Sequence, residues 1–199
     1  MKTGIVFHEL YLWHDTGNHA DYVPYGFPVE PFQHSENPDA KRRIKNLMEV
    51  SGLYEKLFQI TPRKATKDEI LLFHTENHFE YIKSLNDSIN IDAGITTPTG
   101  IGSFDIALLS AGGVIEAIDH VIDEKVNNAY ALVRPPGHHA MPNKAMGFCI
   151  FGNAAIAGKH ALKNKDLHKI AFIDWDVHHG NGTQACLLYT SPSPRDGRE

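Results

Sequence analysis

Two hydrophobic patterns alternate along this chain: short continuous apolar runs, and longer stretches in which apolar residues recur at helical spacing. Thr3 to Phe7 is a run of the first kind and predicts a strand. Asn37-Pro38 reads as a cap followed by proline at the first helical position, and Ile44, Leu47 and Met48 keep helical spacing until Gly52 ends the segment. Thr66-Lys67-Asp68-Glu69 has capping-box spacing and opens a second helix reaching about Phe73; a third covers Phe79 to Leu85. From Ser103 to Asp123 a long helix is predicted by Ile106, Leu109, Val114, Ile115, Ile118, Val121 and Ile122, with Gly112-Gly113 weakening or closely packing its middle turn. Ala129 to Val133 predicts a strand stopped by Arg134-Pro135-Pro136-Gly137, Gly152 to Leu162 a helix, and Ile170 to Ile173 another strand. This alternation predicts an α/β fold with a doubly wound, mostly parallel sheet, whose ligands collect at the carboxyl ends of strands.

Two stretches stand outside the alternation. Tyr11 to Asn37 is irregular but carries Trp13, Tyr22, Tyr25, Phe27 and Phe32, so it reads as a packed loop at the rim of a pocket, or against a second subunit in a homo-oligomer. After Gln184 no period remains, and Cys186-Leu187-Leu188-Tyr189-Thr190-Ser191-Pro192-Ser193-Pro194-Arg195-Asp196 closely resembles a read-through of sequencing-adapter DNA. The expected organisation is therefore 1–184 as the N-terminal part of one catalytic domain, with 185–199 a non-native tail.

Composition narrows the function. At 199 residues and 42% hydrophobic the chain suits one domain with a sizeable core, and its formal charge of −5 offers no footprint for direct nucleic-acid binding. Two cysteines fit a reducing, cytoplasmic setting, and the first apolar run is too short for a signal peptide or a membrane span. Of thirteen histidines, isolated ones such as His120, His160 and His168 need no ligand to explain them.

The paired histidines are different. In Asp174-Trp175-Asp176-Val177-His178-His179-Gly180-Asn181-Gly182, two acids and a histidine fall on every second residue, which in a strand puts all three on one face. A hydrolytic zinc site takes three ligands from His, Asp and Glu and leaves one position for water. Asp176 and His178 are candidates for two of them, while Asp174, one step back, suits a carboxylate that fixes a neighbouring imidazole. His138 and His139 follow the other strand end, where a pair can divide base and electrostatic roles. The two motifs are expected to meet in space.

These residues carry a family resemblance. Arg134-Pro135-Pro136-Gly137-His138-His139-Ala140, Gly147-Phe148-Cys149 and Asp174 to Gln184 resemble the zinc-dependent histone deacetylases. Trp175 and Asn181 are most similar to the class II-like branch and its bacterial histone deacetylase-like and acetylpolyamine amidohydrolases. The resemblance implies a three-layer, arginase/deacetylase-like fold and zinc-dependent hydrolysis of an acetyl-lysine or acetylated-amine amide, releasing acetate. By position it makes Asp176 and His178 ligands to one Zn2+, His139 the general base and acid oriented by Asn181, and His138 the electrostatic partner bonded to Asp174. It also implies a substrate channel lined by Gly147 and Phe148, and a structural K+ at the backbone around Asp174 to His178. The family's third ligand, an aspartate, and its oxyanion-stabilising tyrosine fall after Gln184, so the chain as printed is expected to bind zinc weakly and to be inactive. Tyr189 lacks the glycine-rich context that would make it that tyrosine.

Two rivals stand beside this reading. A binuclear manganese ureohydrolase would want another acid near His178, but Gly180 and Asn181 follow His179. A non-catalytic acyl-lysine or partner-binding module is the other, and the intact His138, His139, Asp176 and His178 argue against it. Asp92 is a further candidate for substrate contact.

Overall fold

The computed structural model describes residues 1–18, 23, 27–165 and 167–188. In chain order its main elements are β1 (Thr3–Val6), α1 (Asp39–Val50), β2 (Phe58–Ile60), α2 (Lys67–Ile70), α3 (Glu76–Ser84), β3 (Ile91–Asp92), β4 (Gly94–Ile95), β5 (Pro98–Thr99), α4 (Ser103–Ile122), β6 (Asn128–Ala131), β7 (Ala145–Met146), α5 (Asn153–Asn164) and α6 (Asn181–Leu188). A single-turn 3-10 helix, Glu9–Trp13, follows β1.

β1 is the middle strand of a parallel sheet of order β2-β1-β6, with Gly4 opposite Phe58 on one side and Ala129 on the other. A parallel strand covered on both faces should be apolar, and β1 is so after Thr3, with Gly4, Ile5 and Val6 all buried. Val6 packs with Ala117 and Val121 of α4, while Ile5 packs with Met48 of α1 and Leu132. The layers are thus α1, sheet and α4, with α5 packed against α4 and sharing its core through Ala111, Ile115, Ala155 and Ile156. Doubly wound α/β packing is what the alternation of runs predicted. No helix among the described residues is long and apolar enough to cross a membrane.

The predicted capping box at Thr66 is formed: its hydroxyl accepts from the Glu69 amide, and the Glu69 carboxylate accepts from the Thr66 amide. Glu69 also pairs with Arg63, which reaches Glu116 of α4. The hydrogen bond from Arg63, only partly opposed by burial, lowers the Glu69 pKa from 4.5 to about 2. A carboxyl depressed in the folded state stabilises above its unfolded pKa and loses that contribution as pH falls from about 4.5 toward 2. The Glu69→Gln variant is therefore expected to lose less stability than the parent over that window in acid titrations followed by circular dichroism. An identical slope in the two proteins would show that Glu69 contributes nothing there.

Gly112 shows why the helix α4 tolerates a glycine pair. A Cβ at Gly112 would stand 1.9 Å from the Arg63 carbonyl oxygen, and Leu108 accepts a hydrogen bond from the Ala65 amide, so the chain entering α2 lies directly on the helix. Close approach, not weakness, is the function of that position.

Four expectations are corrected. Ile170 to Ile173 pairs with no strand among the described residues. Ile170 and Phe172 instead press on Gly158 of α5, while Ile173 points outward; an apolar run becomes a strand only where a ladder partner meets it. The irregular N-terminal segment buries Tyr11 but not the later aromatics that the structure describes: Trp13 is 72% and Phe32 77% exposed, and Phe27 is exposed too. Tyr22 and Tyr25 lie outside the described residues. Of the α1 stripe only Met48 is buried, Ile44 and Leu47 being exposed, because the helix meets the sheet margin through the single Ile5–Met48–Leu132 cluster. Finally, helical structure continues past Gln184: α6 reaches Leu188 and puts Cys186 into the main core. Residues 189–199, including Tyr189, lie outside the described part.

Candidate active site

The loop leaving β6 and the segment leading into α6 meet, as the two histidine motifs predicted. His138 Nδ1 donates to Asp174 Oδ2 at 3.0 Å, and the His138 and His139 rings lie 4.0 Å apart. His139 Nδ1 stands 2.7 Å from Asn181 Oδ1. Asn181 Nδ2 donates to the His139 carbonyl and toward Met141 Sδ, which fixes the amide's orientation and makes Oδ1 the acceptor for the imidazole. His139 therefore carries its proton on Nδ1 and presents Nε2 with a free lone pair. One imidazole is held against a carboxylate and the other against a neutral amide, the division that acid–base chemistry requires.

Gly147 holds the same ring from the other side. Its φ is +54°, and a Cβ there would come within 2.4 Å of His139 Cδ2, so the backbone is the backstop of the imidazole. Beneath it the His139 amide donates to Cys149 Sγ, and burial pushes that thiol up to about 12. Cys149 is a packing group, not a nucleophile.

Asp174, Asp176 and His178 do come together, but not by strand alternation. Asp174 Oδ1 accepts from the Asp176 amide and Asp176 Oδ1 from the His178 amide, so two successive turns closed by aspartate side chains shape the segment. The apolar residues between them, Ile173, Trp175 and Val177, are 82%, 90% and 92% exposed. Burial works to raise the Asp174 pKa, yet the hydrogen bonds from His138 and the Asp176 amide hold it below the usual carboxylate range. The His178 amide, against a smaller effect of burial, does the same for Asp176. Both acids are therefore ionised at neutral pH.

Asp176 Oδ1 and His178 Nδ1 stand 3.1 Å apart. Two donors at about 2.0–2.1 Å from one tetrahedral ion lie roughly 3.3 Å from each other, so the pair fits a shared zinc. No group of three donors able to hold a metal occurs among the described residues.

Asp176, His178, His138, His139, Gly147 and Phe148 face one cavity of about 410 Å³, closed on its remaining side by Ser35, Glu36, Thr96 and Pro136. Phe148, also at positive φ, meets the His34 ring edge-on with centroids 4.9 Å apart. Asp92 does not line this cavity: its carboxylate accepts from the Gly94, Thr96 and Thr97 amides and shapes the turn that carries Thr96. Ser35 and Glu36 belong to the 11–37 segment expected at the rim of a pocket and do line this cavity, but neither they nor Thr96 could be singled out, since nothing local marks a loop residue whose neighbours in space come from elsewhere in the chain.

The chain is similar to known proteins. The model of the histone deacetylase domain matches residues 34–193. The histone deacetylase-like amidohydrolase of Pseudomonas aeruginosa is 44% identical over 187 residues, 92% of this chain and 49% of that protein. The polyamine deacetylase HDAC10 of Danio rerio is 35% identical over 80% of this chain and 24% of its own length. The crystal structure of the HDA15 HD domain superposes with a TM-score of 0.83 at 33% identity, covering 94% of this chain and 50% of that one. The chain thus spans about half the length of the Pseudomonas amidohydrolase. With the histone deacetylase domain matched over residues 34–193, well over half of its length, the chain belongs to the histone deacetylase family.

Proposed function

We propose that residues 1–184 form the base-carrying half of a zinc-dependent amidohydrolase that releases acetate from an acetyl-lysine or acetylated-amine substrate. The observation that carries this is the split pair: His138 on Asp174 and His139 on Asn181, beside an Asp176–His178 donor pair in one cavity. Asp176 and His178 would hold the zinc together with a third donor from outside the described residues. Bound there, zinc lowers the pKa of a water toward neutrality and polarises the amide carbonyl. His139 Nε2 takes the proton of the attacking water and returns it to the departing amine. His138, tied to Asp174, is the electrostatic partner of that histidine. Gly147 and Phe148 flank the acyl-lysine stem. A structural K+ at the backbone of 174–178 belongs to the same proposal.

The test is a chimera in which residues 1–184 replace the matching part of the Pseudomonas amidohydrolase. Zinc-dependent acetate release from an acetyl-lysine peptide or an N-acetylated diamine is expected, and the ratio between the two identifies the substrate class. A folded, zinc-loaded chimera without acetate release from either would sink the proposal. The 199-residue chain by itself is expected to release none.

Zinc binding is a separate prediction for the chain itself. Competition against a chromophoric chelator should show weak binding that Asp176→Ala and His178→Ala each reduce further. Residues that merely orient a ligand contribute about 10- to 100-fold, so loss of a ligand is expected to cost at least about 100-fold. Equal affinity in parent and both variants would place the metal elsewhere.

A further inference from the structure

Arg134 is fully buried, yet it neither lines the cavity nor touches a histidine of the site. Its Nε donates to both carboxylate oxygens of Glu36 at 2.9 and 3.0 Å, one terminal nitrogen donates to the Tyr11 and His14 carbonyls, and the other to the Glu36 carbonyl. One guanidinium thus clamps the turn after β1, the 34–36 segment and the loop that leads four residues later to His138. The planar fork of arginine can satisfy these acceptors at once; a lysine ammonium cannot match that geometry.

The clamped segment is a wall of the cavity. Ser35 and Glu36 line it, the Glu36 amide donates to His34 Nδ1, and the His34 ring stands edge-on to Phe148. Phe148 and Gly147 are in turn held by amide hydrogen bonds to the Thr96 and Ile95 carbonyls, and Gly147 backs the His139 ring. A continuous path of contacts therefore runs from Arg134 through Glu36, His34 and Phe148 to His139, and returns along the backbone from Arg134 to His138. The Arg134–Glu36 pair also neutralises the carboxylate of this segment, so Glu36 does not offer the cavity an unbalanced charge.

We infer that Arg134 is a positioning residue: acting through Glu36, it sets the 34–36 wall and the Gly147–Phe148 pair against the His138–His139 loop. Calling that cavity an amide-hydrolysing site rests on the function proposed above; the positioning itself does not. The experiment is residue-resolved amide hydrogen exchange on the full 199-residue chain and its Arg134→Lys variant. Exchange at Glu36, Gly147 and Phe148 is expected to accelerate by about tenfold or more, with the middle of α4 unchanged, because local opening and global unfolding are separable. Acceleration confined to Glu36, with Gly147 and Phe148 as protected as in the parent, would overturn the inference and leave Arg134 a structural clamp only.

Should the lysine variant fail to fold, Glu36→Gln preserves side-chain volume and leaves Arg134 its backbone acceptors, and is read by the same three amides. The double variant Arg134→Met/Glu36→Gln separates positioning from charge burial. It removes the stranded carboxylate and is expected to melt above Arg134→Met while Gly147 and Phe148 still exchange fast. Restored protection at those two amides in the double variant would likewise overturn the inference. No turnover is measured, so failure of the functional proposal and failure of this one are distinguishable.

Discussion

Replacing His139 with alanine in the amidohydrolase chimera is expected to lower acetate release by about 10²- to 10⁴-fold, the usual contribution of a positioned general base. The reason lies in three contacts. Asn181 Oδ1 accepts the hydrogen bond from Nδ1, Gly147 closes the ring's other face, and the ring lines the cavity, so alanine removes the base that these contacts hold in place. Asn181→Ala leaves the imidazole but frees its tautomer and rotation, and a smaller loss is expected. The order matters as much as the size. If Asn181→Ala costs as much as His139→Ala while zinc content is unchanged, the amide and not the imidazole governs the step, and the assignment of His139 fails.

Phe151→Ala is expected to destabilise the chain by roughly 3–5 kcal/mol, the range for removing a buried aromatic ring. Phe151 is almost fully buried and meets Phe79, Phe104, His74 and His78, each with ring centroids within 6.5 Å. Its flanks are pinned: His78 Nε2 donates to the Ile150 carbonyl, and the Gly152 amide donates to His74 Nε2. Burial lowers the His74 pKa to about 3, with His78 adding to the effect, so this imidazole stays neutral and acceptor-competent at neutral pH. The Phe151 carbonyl lies against Gly137, so the same cavity would loosen the backing of the histidine loop. In a chain of this length the melting temperature should fall by about 10 °C or more. A fall of less than about 2 °C would mean that the aromatic cluster collapses onto the vacancy and does not hold the loop.

The lone histidines show where sequence reasoning needed no structure. His160 of α5 pairs with Asp119 of α4, and His120 with the Glu116 carbonyl one turn back, ordinary protein partners that account for both rings without a ligand. The Thr66 capping box and the span of α4 were equally legible, because capping and helical period depend on residues three and four apart. The Ile170–Ile173 strand was not, since a ladder needs a second edge that no local pattern supplies. Trp13, Phe27 and Phe32 failed for a related reason: aromatic content predicts a gain on burial but not a surface to be buried against.

The sequence by itself determined the helices and the Thr66 cap, though α1 starts one residue later than expected with Pro38 at its cap position, the parallel α/β class, and the two histidine motifs that had to meet at one edge of the sheet. Chemistry and short-range spacing suffice for those. Only the tertiary structure decided that aspartate-closed turns, not strand pleat, bring Asp174, Asp176 and His178 together, and that Gly147 seats His139. It alone showed Arg134 reaching Glu36 and Tyr11 across 98 and 123 residues of chain. A buried ion pair of that separation leaves no periodic or neighbouring trace, because what selects its partners is the packing of whole elements rather than anything adjacent in the chain.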